Sequence, residues 1–142
     1  MPDPIKVLVV DDLLIMRRTL LLMLSTTRHI EVVDTAENGI EAYEKTKLKQ
    51  VDLVLMDLNM PFMDGIRATI NIVKSNPHIK VLALTFHDDE GLLSHVIEAG
   101  GHGYLTKPVR RDQLLDAIYA VMKGKYYLGA YASSRMPDLA QS

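Results

Sequence analysis

The sequence predicts an α/β fold in which a parallel sheet is covered by helices on both faces. Two observations lead there. Short, β-branched apolar runs recur along the chain, and a stretch with helical spacing of apolar residues follows each of them. Parallel neighbours need crossover connections, almost always right-handed, and the intervening helices supply them. The length of 142 residues fits one domain and excludes a second full one. A hydrophobic share of 48% and a charged share of 24% are those of a chain that buries an ordinary core.

The first run, Ile5-Lys6-Val7-Leu8-Val9-Val10, reads as a strand buried on both faces and ends at Asp11-Asp12. Residues 14–24 form a helix with apolar residues around most of its circumference, ended by Ser25-Thr26-Thr27. Residues 31–36 are a second strand, Asn38-Gly39 a turn, and residues 40–48 a helix with Ile40 and Tyr43 on one face. Residues 51–56 make a third strand that stops at Asp57. A loop containing Pro61 and Gly65 leads to a helix with Ile66, Ile70 and Val73 in register, closed by Asn76-Pro77. Residues 80–85 are the fourth strand. Leu92, Leu93, Val96 and Ile97 mark the next helix, capped by Gly100-Gly101. After the short strand Gly103-Tyr104-Leu105-Thr106, residues 110–122 carry one stripe of Leu114, Leu115, Ile118, Val121 and Met122, and Gly124 stops it. The tail 125–142 has no further periodic element and reads as a linker or a frayed terminus.

Composition removes several classes of function. Without cysteine there is no disulfide framework, thiol nucleophile or thiolate zinc site. A formal net charge of −2 provides no broad basic field for nucleic acid, and the pairs Arg17-Arg18 and Arg110-Arg111 read as solvated helix faces. The most apolar stretch, residues 13–24, is interrupted by both arginines of the first pair and falls short of the ~18–20 apolar residues of a membrane span. The short acidic start Met1-Pro2-Asp3-Pro4 does not read as a signal peptide.

In an open parallel sheet, ligand sites lie beyond the carboxyl ends of the strands, where strand order reverses. Asp11 and Asp12 follow the first strand, Asp57 ends the third, Thr85 ends the fourth and Lys107 follows the fifth. Singly, these are ordinary caps and surface charges. Together, three carboxylates repel unless a cation compensates, and an all-oxygen set suits Mg²⁺. His29, His78, His87, His95 and His102 show no metal-binding spacing, and the eight methionines read as core fillers.

Residues 6–123 resemble the receiver domain of bacterial two-component response regulators. The resemblance is carried by Val9-Val10-Asp11-Asp12, Asp57 with Met60-Pro61-Phe62-Met63-Asp64-Gly65, Leu84-Thr85, and Gly103-Tyr104-Leu105-Thr106-Lys107-Pro108. It implies a flavodoxin-like, doubly wound sheet of five strands in the order 2-1-3-4-5, with residues 1–124 as the receiver. It also implies a chain that accepts a phosphoryl group from a histidine kinase or phosphotransfer protein and loses it by autodephosphorylation, rather than an enzyme acting on external substrates. By resemblance Asp57 is the phosphoacceptor, Asp11, Asp12, Asp57 and the Asn59 backbone carbonyl hold Mg²⁺, and Lys107 contacts the phosphoryl group. Thr85 and Tyr104 are the switch pair, with Tyr104 rotating inward behind Thr85, and Lys107-Pro108 is a cis peptide.

Phe86 is larger than the small residue common after the strand-end Thr, and is expected to restrict access of donor or water. Asn59 and His87 flank the site with no direction of effect legible from their type. The tail Gly124-Lys125-Tyr126-Tyr127-Leu128 with Arg135-Met136 resembles the linker after NarL/FixJ-type receivers, which lead into a helix-turn-helix domain. The expected output is therefore transcriptional, through a DNA-binding domain absent from these residues, with no direct nucleic-acid contact by this segment. A cytoplasmic location, no membrane contact and a possible homodimer go with that expectation; a stand-alone receiver acting by protein contacts is the alternative. A Mg²⁺-dependent aspartyl-phosphate phosphatase of the haloacid-dehalogenase type needs a carboxylate two residues after the nucleophile, where Asn59 stands. A flavin mononucleotide carrier needs a Gly-, Ser- or Thr-rich loop where Asp11-Asp12 would repel the phosphate.

Overall fold

The computed structural model describes residues 3–60, 65–86 and 90–128. Along the chain run β1 (Ile5–Val10), α1 (Leu14–Ser25), β2 (Ile30–Ala36), α2 (Gly39–Leu48), β3 (Leu53–Asp57), α3 (Gly65–Ser75), β4 (Lys80–Thr85), α4 (Glu90–Glu98), β5 (Gly103–Thr106) and α5 (Arg111–Met122). The five strands pair in parallel in the order β2-β1-β3-β4-β5. The chain therefore steps outward from β1 to β2 and then crosses back to β3, so strand order reverses between β1 and β3.

The continuous apolar runs are explained by burial on both sides of the sheet. Leu8, Val10, Val54, Met56, Val81 and Ala83 face one apolar cluster together with Ala42, Ala68, Ile72, Leu93 and Val96 of α2, α3 and α4. Their neighbours Val7, Val9, Leu53, Leu55, Leu82 and Leu84 face the other, against Leu20 and Leu24 of α1 and Leu114, Ile118 and Val121 of α5. Alternate side chains leaving opposite faces of each strand produce this division. Asn38 accepts a hydrogen bond from the Glu41 amide at 2.8 Å, so the expected Asn38-Gly39 turn is the N-cap of α2.

Two features depart from the sequence reading. Arg17 is buried rather than solvated, with 9% exposure, because the sheet-facing stripe of α1 runs through Arg17, Leu20 and Leu24. Arg18, Arg110 and Arg111 are exposed.

The tail also begins inside the folded unit. Tyr127 lies beside Gly103 in a parallel bridge, its amide donating to the His102 carbonyl at 2.9 Å and its carbonyl accepting from the Tyr104 amide at 3.0 Å. Tyr126 and Leu128 join one apolar cluster and Tyr127 the other, the alternation of a strand. A side chain at Gly103 would collide with the Tyr127 carbonyl, so only glycine permits this approach. The remaining tail from residue 129, with Arg135-Met136, lies outside the described residues, as do residues 61–64 and His87.

Candidate functional site

Strand register assembles the site. Val10 pairs with Met56, so Asp11, the next residue after β1, stands beside Asp57 at the end of β3. Asp57 pairs in turn with Leu84, and Thr85 with Thr106, which sets Lys107 one residue beyond the edge of the sheet. The Lys107 amide donates to the Thr85 carbonyl at 2.7 Å, and the Lys107-Pro108 peptide is cis. A side chain at Gly65 would collide with the Asp57 carbonyl, so glycine there lets α3 start against the site.

Asp11, Asp57, Thr85 and Lys107 are all buried, with Asp57 only 1% exposed. The Lys107 ammonium donates to Asp11 Oδ2 at 2.9 Å and to Asp57 Oδ1 at 3.2 Å. Asp57 Oδ1 also accepts from the Asn59 amide at 3.0 Å, while Asp11 Oδ1 accepts from the Leu13 amide at 3.0 Å. One carboxylate oxygen from each of Asp11, Asp12 and Asp57 lies within 4.8 Å of the others. Burial raises the Asp57 carboxyl above its ordinary pKa; the Asn59 amide opposes this, the Asp11 charge adds to it, and Lys107 opposes it. One lysine serving two buried acids, with a third acid beside them, leaves the cluster short of positive charge. Three hard oxygen donors gathered this closely fit a small divalent cation that keeps part of its water shell, as Mg²⁺ does.

The Thr85 hydroxyl donates to Asn59 Oδ1 over a long 3.4 Å, and that oxygen also faces the Phe86 amide at 3.5 Å. Phe86 is 59% exposed, and its ring centre lies 4.9 Å from the Lys107 ammonium, a cation–π contact at the mouth of the site. Tyr104 is 4% exposed, within the apolar cluster that holds Leu128.

Sequence reasoning missed Arg17. Its guanidinium donates through Nη1 to the Asp11 carbonyl at 2.8 Å and pairs through Nη2 with Glu37 at 3.3 Å. The signal was its spacing, three residues before Leu20 and seven before Leu24, which sets it on the buried stripe. No helix among the described residues is long and apolar enough to cross a membrane.

Residues 7–119 match the family described as the response regulator receiver domain. The chain is 40% identical over 124 residues to the oxygen regulatory protein NreC of Staphylococcus carnosus, an alignment covering 87% of this chain and 57% of that protein. It is 37% identical over 132 residues to the transcriptional regulatory protein LnrK of Bacillus subtilis, covering 93% and 60% respectively. The chain thus spans little more than half the length of these curated relatives. A LuxR-family response regulator from Aurantimonas superposes with a TM-score of 0.88 at 26% identity, covering 99% of this chain and all of that one. The receiver domain of a putative response regulator NarL from Mycobacterium tuberculosis superposes at 0.81 with 30% identity, covering 87% of this chain and 100% of that one.

Proposed function

The chain belongs to the response regulator receiver family, and on that premise we propose that Asp57 is its phosphoacceptor and that Asp11, Asp12, Asp57 and the Asn59 carbonyl hold Mg²⁺. The observation that carries this reading is a buried Asp57 sharing one lysine with Asp11 at the point where strand order reverses. Bound Mg²⁺ supplies charge neutralisation for the phosphoryl oxygens.

This chain's own residues account for the rest. Among the described residues, the hydrogen bonds accepted by Asp57 fall on Oδ1, which leaves Oδ2 for attack on phosphorus. A new P–O bond forms as the P–N bond of a donor phosphohistidine breaks, and the electron pair stays with the imidazole. Lys107 moves its donor from Asp57 Oδ1 to a phosphoryl oxygen and offsets the charge gained. The Thr85 hydroxyl, which faces Asn59 Oδ1 at 3.4 Å, turns toward another phosphoryl oxygen through a charge-assisted hydrogen bond. Attack of water on phosphorus returns the carboxylate and inorganic phosphate. Tyr104, three residues before Lys107 on β5, carries the change to the face of α4, β5 and α5.

A histidine kinase or phosphotransfer protein in the cytoplasm is the proposed donor, and a DNA-binding output acting after the receiver is the proposed consequence. Relatives named as transcriptional regulators, of which this chain matches 53% to 60%, support that output. The test is mass spectrometry after incubation with acetyl phosphate and Mg²⁺. The wild type gains one phosphoryl mass; Asp57→Asn does not, and neither does the wild type in EDTA. Equal labelling of Asp57→Asn would contradict the reading.

A further inference from the structure

We infer that Arg17 is a positioning residue for the acidic site, fixing the Asp11-Asp12 peptide so that Asp12 meets the cation proposed above. The inference rests on that reading of the site. Every polar group of Asp11 is committed. Its amide donates to the Ala36 carbonyl at 3.1 Å, Oδ1 accepts from the Leu13 amide, Oδ2 accepts from Lys107, and its carbonyl accepts from Arg17 at 2.8 Å. The last of these bonds holds the peptide plane that leads into Asp12. Without it the plane is free to turn, and the Asp12 carboxylate leaves its place within 4.8 Å of the other two.

Burial makes the arrangement specific. Arg17 is 9% exposed, and its guanidinium fork satisfies two acceptors at once, the Asp11 carbonyl and Glu37. The Glu37 side chain is largely solvated, with 65% exposure, so the ion pair itself stabilises little. The bond to Asp11 is the consequential one, as with the outer groups that orient ligands in other metal sites.

Charge and position predict opposite signs. As a cation near the site, Arg17 repels Mg²⁺, so removing it for charge alone tightens binding; as the holder of the Asp11-Asp12 peptide, its removal weakens binding. The test is an amide NMR titration of the chain with MgCl₂, whose spectra also report folding. Arg17→Gln is expected to weaken Mg²⁺ binding by about 10-fold, with Arg17→Lys between it and the wild type and Glu37→Gln close to wild type. Wild-type or tighter affinity in folded Arg17→Gln overturns the inference. Should that variant not fold, the same result in Arg17→Lys does so. A wild type that binds no Mg²⁺ contradicts the reading of the site itself, a separate outcome from variants that bind as well as the wild type.

Discussion

The Lys107 ammonium reaches the Asp11 carboxylate over 2.9 Å, tying together residues 96 apart in the chain with both side chains almost wholly out of water. The same ammonium serves Asp57 at 3.2 Å. This sharing defines the resting electrostatics of the site: the cluster is compensated enough to fold and short enough of positive charge to attract a cation. Four consequences of this structure are open to measurement.

Removing the charge of Asp57 is expected to stabilise the metal-free protein. Burial raises the folded-state pKa of Asp57, so the folded chain holds this proton more tightly than the unfolded chain. Its contribution to stability is fully present below the unfolded value of ~3.9 and is lost as pH rises through the folded value. In EDTA at pH 7, Asp57→Asn should melt a few degrees above the wild type, with the difference closing below pH ~4. A lower melting temperature for the variant at pH 7 would count against this account of the site's strain.

Lys107→Met leaves Asp11 and Asp57 facing each other without their shared cation. Breaking a buried pair in this way costs about 3–5 kcal/mol, and urea unfolding in EDTA should show it. Mg²⁺ should return part of that loss, because ligand at 100 times its dissociation constant adds about 2.7 kcal/mol. An unchanged midpoint would mean that the ion pairs carry no weight.

Leu128, at 2% exposure, belongs to the folded unit although it lies six residues beyond α5. Leu128→Ala should cost about 2–5 kcal/mol, whereas Leu48→Ala, at 83% exposure, should change stability by less than about 0.5 kcal/mol. Gly103→Ala should free the segment, with faster hydrogen exchange at the Tyr104 and Tyr127 amides, whose acceptors it would separate. Protection equal to wild type in Gly103→Ala would show that the segment docks by other means.

Phe86→Ala should speed both labelling by acetyl phosphate and hydrolysis of the product, since the ring stands over Lys107 at the mouth of the site. The lost cation–π contact is worth about 0.5–1 kcal/mol at an exposed position, so stability should fall slightly. Rates unchanged within error would remove Phe86 from any role in access.

The strands were legible because burial on both faces writes continuous apolar runs, and the site was legible because its residues sit immediately after those runs. Asp11, Asp57, Thr85 and Lys107 needed only the order of strands to be brought together. Arg17 was hidden by its charge: its burial depends on the Asp11 carbonyl and on Glu37, twenty residues away, and charged side chains are rarely buried without such partners. Tyr126, Tyr127 and Leu128 form too short an alternation to register as a strand, and their docking is decided by the absent side chain of Gly103.

Borohydride reduction after acetyl phosphate and Mg²⁺ treatment, followed by peptide mapping, addresses the central assignment most directly, because it converts an aspartyl phosphate to homoserine at the residue that carried it. The account predicts homoserine at position 57 and nowhere else. Homoserine at position 11 or 12, or a stable phosphate that borohydride leaves untouched, would contradict it.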